Sequence, residues 1–254
     1  VMKGLPYVRP YMVKSGGETL LVDCGWNTEA AYDALVEGMA EHGSHPSEVS
    51  TLAITHVHPD HYGMAGKIKD VAPKADLVIH QLETDVIATR YLRPEGLAHE
   101  VSDMMQVHGV PPLDAASLSQ GSMGVRGNVW AVPADTEVHG GETLKIGDFD
   151  FEVIHTPGHT PGHICLYEPN RKAIFTGDHI LPTITPNVSY HAQSMGNPLG
   201  DYMRSMEKLI DLDVEYVLPA HEYDIKDLKK RIIEIEDHHK HRLEEMERYV
   251  DAGG

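Results

Sequence analysis

The chain repeatedly ends an apolar, strand-like run on a side chain that can bind a metal ion. Thr19-Leu20-Leu21-Val22 runs into Asp23, and Thr51-Leu52-Ala53-Ile54 into Thr55-His56-Val57-His58-Pro59-Asp60-His61. Ala173-Ile174-Phe175-Thr176-Gly177 runs into Asp178, and Tyr216-Val217-Leu218-Pro219-Ala220 into His221. A strand over 149–154 leads to His155-Thr156-Pro157-Gly158-His159-Thr160-Pro161-Gly162-His163. Taken singly, Asp23, Asp178 or His221 is at least as readily structural as functional. Together they require a fold in which several strands present their C-terminal ends at one shared edge.

Local spacing sharpens this expectation. Residues two apart in an extended segment project to the same side, so His56 and His58 can grip one ion. Pro59 turns the chain, and Asp60 and His61 can then face a second position. The Pro-Gly pairs at 157–158 and 161–162 force turns that hold His159 out from the sheet end. Histidine, the commonest transition-metal ligand side chain and the usual near-neutral acid–base, is abundant at 18 of 254 residues. By contrast His238, His239 and His241 lie on a charged terminal segment and read as a solvated face, as do Lys229, Lys230 and Arg231.

The pattern of the remaining chain predicts strands over 7–13 and 18–23 around a Ser15-Gly16-Gly17 turn. A helix is expected over 28–41, with Tyr32, Leu35, Val36 and Met39 at helical spacing, Thr28 near its start and Gly43 after its end. A strand at 51–54, a helix from Met64 and a strand at 77–79 follow. Residues 81–126 read as a largely helical cap insertion carrying Met104, Met105 and Met123, broken by Pro94 and Pro111-Pro112. From 136 the expected elements are strands at 143–146, 149–154, 163–168 and 172–176, a helix at 200–211, a strand at 215–218 and a charged helix at 225–250. Two similar halves, each with helices on one face of a sheet, stack into a four-layer α/β sandwich. The expected organisation is one domain spanning 1–254.

Composition limits the partners. A formal net charge of −18 disfavours nucleic acid, whose phosphates need a basic surface. No run is apolar for long enough to span a bilayer, and Val1-Met2-Lys3-Gly4 lacks an apolar signal core. A cytoplasmic protein that binds a small molecule, with a homodimer as the expected assembly, fits these features. The two cysteines, Cys24 and Cys165, cannot build a disulfide framework and read as buried small hydrophobes.

His-x-His-x-Asp-His at 56–61, Pro-Gly-His-Thr-Pro-Gly-His at 157–163, Thr-Gly-Asp at 176–178 and Pro-Ala-His at 219–221, in this order, resemble the signature of the metallo-β-lactamase superfamily. The resemblance runs from Asp23 to His221 and implies an αβ/βα sandwich. It implies that His56, His58 and His159 hold a first metal and that Asp60, His61 and His221 hold a second. Asp178 would bridge both, with Asp23 and His163 supporting the ligands from behind. The implied cofactor is two divalent ions, zinc in the first instance, with iron or manganese also compatible with nitrogen and oxygen donors.

The implied reaction is attack by a metal-bridging hydroxide on an ester, thioester or lactone, with Asp60 orienting the nucleophile or taking its proton and His61 beside it. His221-Glu222-Tyr223 is similar to glyoxalase II-like thioesterases, where the tyrosine contacts substrate. Tyr223 is therefore either a substrate contact or an ordinary tyrosine, and His179 is either a substrate contact or a packing residue. The segment after Asp178 departs from glyoxalase II and is more similar to the broad group of metallo-β-lactamase-fold hydrolases. Two other classes compete: a mononuclear iron persulfide dioxygenase using the His56, His159 and Asp178 positions, and a non-catalytic binding protein on the same fold.

Overall fold

The computed structural model describes residues 7–93, 97–190 and 196–253. Residues 1–4, Pro94 and the Met123 side chain, all used in the sequence reading, lie outside the described part. Two five-stranded sheets form the centre, ordered β1-β2-β3-β4-β5 and β10-β9-β8-β7-β6. The first contains β1 (Tyr11–Ser15), β2 (Glu18–Val22), β3 (Thr51–Ala53), β4 (Asp76–His80) and β5 (Thr136–Val138). β1 and β2 form an antiparallel hairpin, and β2 to β5 run parallel. The second contains β6 (Thr143–Ile146), β7 (Phe149–His155), β8 (Ile164–Glu168), β9 (Ala173–Gly177) and β10 (Tyr216–Pro219). Its β9 and β10 are parallel, and its other pairs are antiparallel.

Strand alternation sorts side chains between three apolar layers. Leu20, Val22, Ala53 and Val78 of the first sheet meet Phe151, Val153, Leu166 and Phe175 of the second between the sheets. Their neighbours Leu21, Leu52, Leu77 and Ile79 point the other way. They pack against α1 (Glu29–Glu41) and α3 (Ala65–Val71), from which Met39, Ala65 and Ile68 are buried. On the outer face of the second sheet, Cys165, Ile174 and Val217 pack against α7 (Pro198–Leu209) and α8 (Leu228–Asp251). Each fully buried leucine or isoleucine contributes about 1.5–3 kcal/mol. The order of layers is helix, sheet, sheet, helix, as the residue pattern predicts.

Local signals fix the ends of these elements. The Thr28 side chain accepts the Ala31 N–H and caps α1, and Gly43 follows it at φ 64°. The first strand starts at Tyr11 rather than at residue 7, and Arg9 N instead donates to Ala220 O across the molecule. The 55–61 loop contains a helical turn, α2 (Pro59–Tyr62), with Pro59 at its first position. The 81–126 segment is helical: α4 (Gln81–Ile87), a π-helical turn (Ala88–Leu92), α5 (Leu97–Val107) and α6 (Pro112–Gly124). Among the described residues, no helix is long and apolar enough to cross a membrane.

Candidate metal centre

The parallel strands of both sheets deliver their following residues to one edge. Three ring nitrogens converge there: His58 Nδ1 lies 3.0 Å from His56 Nε2 and 3.0 Å from His159 Nε2, which are 3.2 Å from each other. Beside them, His61 Nε2 and His221 Nε2 face Asp60 at 3.8 and 3.6 Å. Asp178 sits between the two sets, with Oδ2 3.6 Å from His159 Nε2 and Oδ1 3.5 and 3.3 Å from His61 and His221 Nε2. Among the described residues, the groups that could hold a metal are His56–His58–His159, His56–His61–Asp178 and Asp60–His61–His221.

The outer nitrogens of these rings are tied down, which sets the tautomers. His159 Nδ1 donates to Asn187 O at 2.7 Å, and His221 Nδ1 donates to Tyr7 O at 2.6 Å. His61 Nδ1 donates to Asp23 Oδ2 at 2.8 Å. The Thr55 hydroxyl gives its hydrogen to Asp23 at 2.9 Å, so it accepts from His56 Nδ1 at 3.1 Å. Every one of these hydrogen bonds turns the Nε2 of its ring inward. His61 Nε2, His221 Nε2 and Asp178 Oδ1 are buried without a hydrogen-bond partner. Buried polar atoms without partners are costly, and a cation between them would satisfy all three, so the donor set fits a metal.

The electrostatics divide the histidines into two groups. Burial, together with neighbouring rings, pushes His56 and His58 well below the ordinary imidazole range. Burial also opposes charge on His61, but the carboxylates of Asp178, Asp60 and Asp23 outweigh it and hold His61 well above that range. His221 is raised against burial by Asp178 in the same way. Burial alone would raise Asp178, yet His61, His221 and His159 hold it well below the usual carboxylate range.

Backbone conformation is specialised at this edge. Asp23 and Glu222 adopt φ of 58° and 64°, uncommon for residues with a side chain. Asp23 is 2% exposed, and its Oδ1 also accepts Thr55 N at 2.8 Å. His163 stands behind Asp178: its Nε2 accepts the Asp178 N–H at 3.2 Å, and its Nδ1 donates to the Thr156 hydroxyl at 2.8 Å. Gly177 has φ 50°, and a Cβ there would lie 2.7 Å from His163 Nε2. A side chain at 177 would therefore push the support away from Asp178.

Several sequence expectations need correction. His179 is fully buried, with its ring 4.8 Å from Tyr202 and 5.7 Å from His163. Arg231 is not a solvated charge, because it donates to Leu181 O at 2.7 Å and Ile184 O at 2.9 Å and anchors the segment after Asp178. His239 is half-buried with its ring 5.6 Å from Tyr202, whereas His238 and His241 are exposed. Tyr223, two residues after His221, is 58% exposed. Cys24 and Cys165 are fully buried. His108, just past α5, lies 5.5 Å ring to ring from Tyr190, three residues after Asn187.

Sequence reasoning missed Glu83. It is fully buried on α4, where Oε2 accepts Val57 N at 2.9 Å and Oε1 accepts Gly162 N at 2.8 Å. A single glutamate in a helical segment carries no motif. The available clue was Gly162, a glycine inside the ligand loop whose Cβ would lie 2.7 Å from Glu83 Cγ.

Comparisons with known proteins agree with this architecture. A family model described as the metallo-beta-lactamase superfamily matches residues 5–221. A metallo-beta-lactamase family protein of Thermus thermophilus superposes with a TM-score of 0.85 at 31% identity, covering 94% of this chain and 78% of that one. The probable metallo-hydrolase YqjP of Bacillus subtilis is 26% identical over 247 residues, 95% of this chain and 75% of its own length. The human acyl-coenzyme A thioesterase MBLAC2 is 29% identical over 172 residues, 66% of this chain and 54% of its own length. The chain spans about half to three quarters of the length of these curated relatives. The converging histidines and aspartates, the paired sheets and the match over 5–221 lead to one conclusion: the chain belongs to the metallo-β-lactamase superfamily.

Proposed function

We propose that the chain is a hydrolase holding two divalent metal ions and cleaving an acyl thioester, with related esters or lactones as further substrates. The observation that carries this reading is the placement of Asp178, whose two oxygens face different histidines. On this reading His56, His58 and His159 would hold one ion and Asp60, His61 and His221 the other, with Asp178 placed to serve both groups. The all-nitrogen-and-oxygen donor set suits zinc, iron or manganese. When bound, such a pair supplies a Lewis acid and lowers the pKa of water to about 7.

The chain's own residues orient and move the proton. Asp60 has a side chain 25% exposed, the most open carboxylate of the set, and takes the nucleophile's proton on the solvent side. His61 stays fixed by Asp23, and His221 by Tyr7 O. The exposed Tyr223 offers its hydroxyl to the substrate. Burial pushes the Cys165 thiol up to about 12, and Cys24 is raised by burial too, so neither is primed as a nucleophile. The thioester preference is supported by the relative named as an acyl-coenzyme A thioesterase.

Elemental analysis of purified protein, paired with hydrolysis of acyl thioesters, lactones and aryl esters, tests the proposal. About two zinc or manganese ions per chain with thioester turnover would support it. One iron per chain, no hydrolysis, and oxygen uptake on a persulfide would overturn it. Asp60→Asn should abolish turnover; unchanged ligand affinity with no turnover in the wild type would instead mark a binding protein.

A further inference from the structure

We propose that Glu83 is a positioning residue that spaces the two ligand loops and thereby sets the affinity of the His56–His58–His159 group for metal. The inference rests on the metal-centre reading above. Val57 lies between His56 and His58, and Gly162 lies three residues after His159. Glu83 takes one N–H from each with a different carboxylate oxygen. One short, planar group therefore spans a loop from the first half and a loop from the second. The same helical segment also holds the other side of Val57, because Tyr91 of the π-helical turn donates its hydroxyl to Val57 O at 3.0 Å. Val57 is thus clamped at both its N–H and its carbonyl.

The approach is close by construction. A Cβ at Gly162 would lie 2.7 Å from Glu83 Cγ, 2.8 Å from Glu83 N and 2.9 Å from His80 Nδ1. His80 in turn accepts the Leu82 N–H at 3.2 Å and caps α4. A buried carboxylate carries a desolvation cost. An apolar side chain would avoid that cost but would strand two buried N–H groups and leave the loops unlinked.

Cobalt(II) titration of the full chain, followed by visible absorption and by competition with a chelator, tests the assignment. Glu83→Gln keeps the shape but loses one acceptor, and Glu83→Ala loses both. Their affinity should fall on the order of 10- to 100-fold, the range for a group that orients a ligand from behind, and the cobalt spectrum of Glu83→Gln should shift. Circular dichroism checks folding, and Glu83→Gln carries the test if Glu83→Ala does not fold. Glu168→Gln is the control, because Glu168 is also buried and accepts backbone N–H groups, from Asp150 and Arg171, in β8. Wild-type affinity and spectrum in Glu83→Gln would overturn the inference, as would an equal loss in Glu168→Gln. A wild-type chain that takes up no cobalt would instead remove the metal-centre reading itself.

Discussion

The carboxylate of Asp178 faces His159 with one oxygen, at 3.6 Å, and His221 with the other, at 3.3 Å. An asparagine there keeps one oxygen and replaces the other with a donor. Asp178→Asn should lower metal content below that of the wild type and cut turnover by more than about 100-fold, beyond the range for residues that act only from behind a ligand. Metal analysis and steady-state kinetics on the same sample check this, with unchanged circular dichroism showing that the fold persists.

Asp23 holds Thr55 N, the Thr55 hydroxyl and His61 Nδ1 at once. Asp23→Asn should weaken zinc binding on the order of 10- to 100-fold, because one amide cannot accept from all three donors. Chelator competition measures the change. Full zinc affinity in the variant would show that Thr55 and His61 are held by other contacts.

Gly177 combines φ 50° with no room for a Cβ. Gly177→Ala should cost more than about 1 kcal/mol of stability and also lower turnover, since it shifts both Asp178 and His163. A urea midpoint and a kinetic assay test the two parts separately.

His179 buries both ring nitrogens without a partner, and burial takes its pKa down to about 3. An apolar ring of similar shape removes that unsatisfied polarity. His179→Phe should keep stability within about 1 kcal/mol of the wild type and leave KM for a thioester unchanged. A large rise in KM would assign His179 to substrate contact.

His80 is pushed down to about 4, first by burial and then by His155, stacked on it at 4.1 Å. A histidine depressed in the fold contributes stability that is complete above its ordinary value, about 6.5, and is lost as pH falls through the folded value. Protonation also removes the lone pair that accepts Leu82 N–H. His80→Asn keeps a capping acceptor but does not titrate. Its stability should therefore fall less steeply than the wild type's between about pH 6.5 and 4, as read from urea midpoints in chelator.

The edge was legible because strand periodicity and ligand chemistry coincide. Leu21, Leu52 and Ile174 announce strands, and the residue types that follow them have few other reasons to cluster. What escaped depends on contacts between segments distant in sequence. Glu83 meets Gly162 across 79 residues, and Arg231 meets Leu181 across 50. Neither has a local pattern, and Arg231 hides within a charged run where exposure is the ordinary outcome. The α2 turn was missed because four residues are too few for helical periodicity to show.

The ligand groups His56–His58–His159 and Asp60–His61–His221 each draw members from both halves of the chain. Neither sheet with its helices owns a complete set. On the proposed reading, both metal sites are complete only when the seam between the halves has closed. The same arrangement makes any bound ion a fastener across that seam, so starving the protein of metal should loosen the join between the halves before it melts either one.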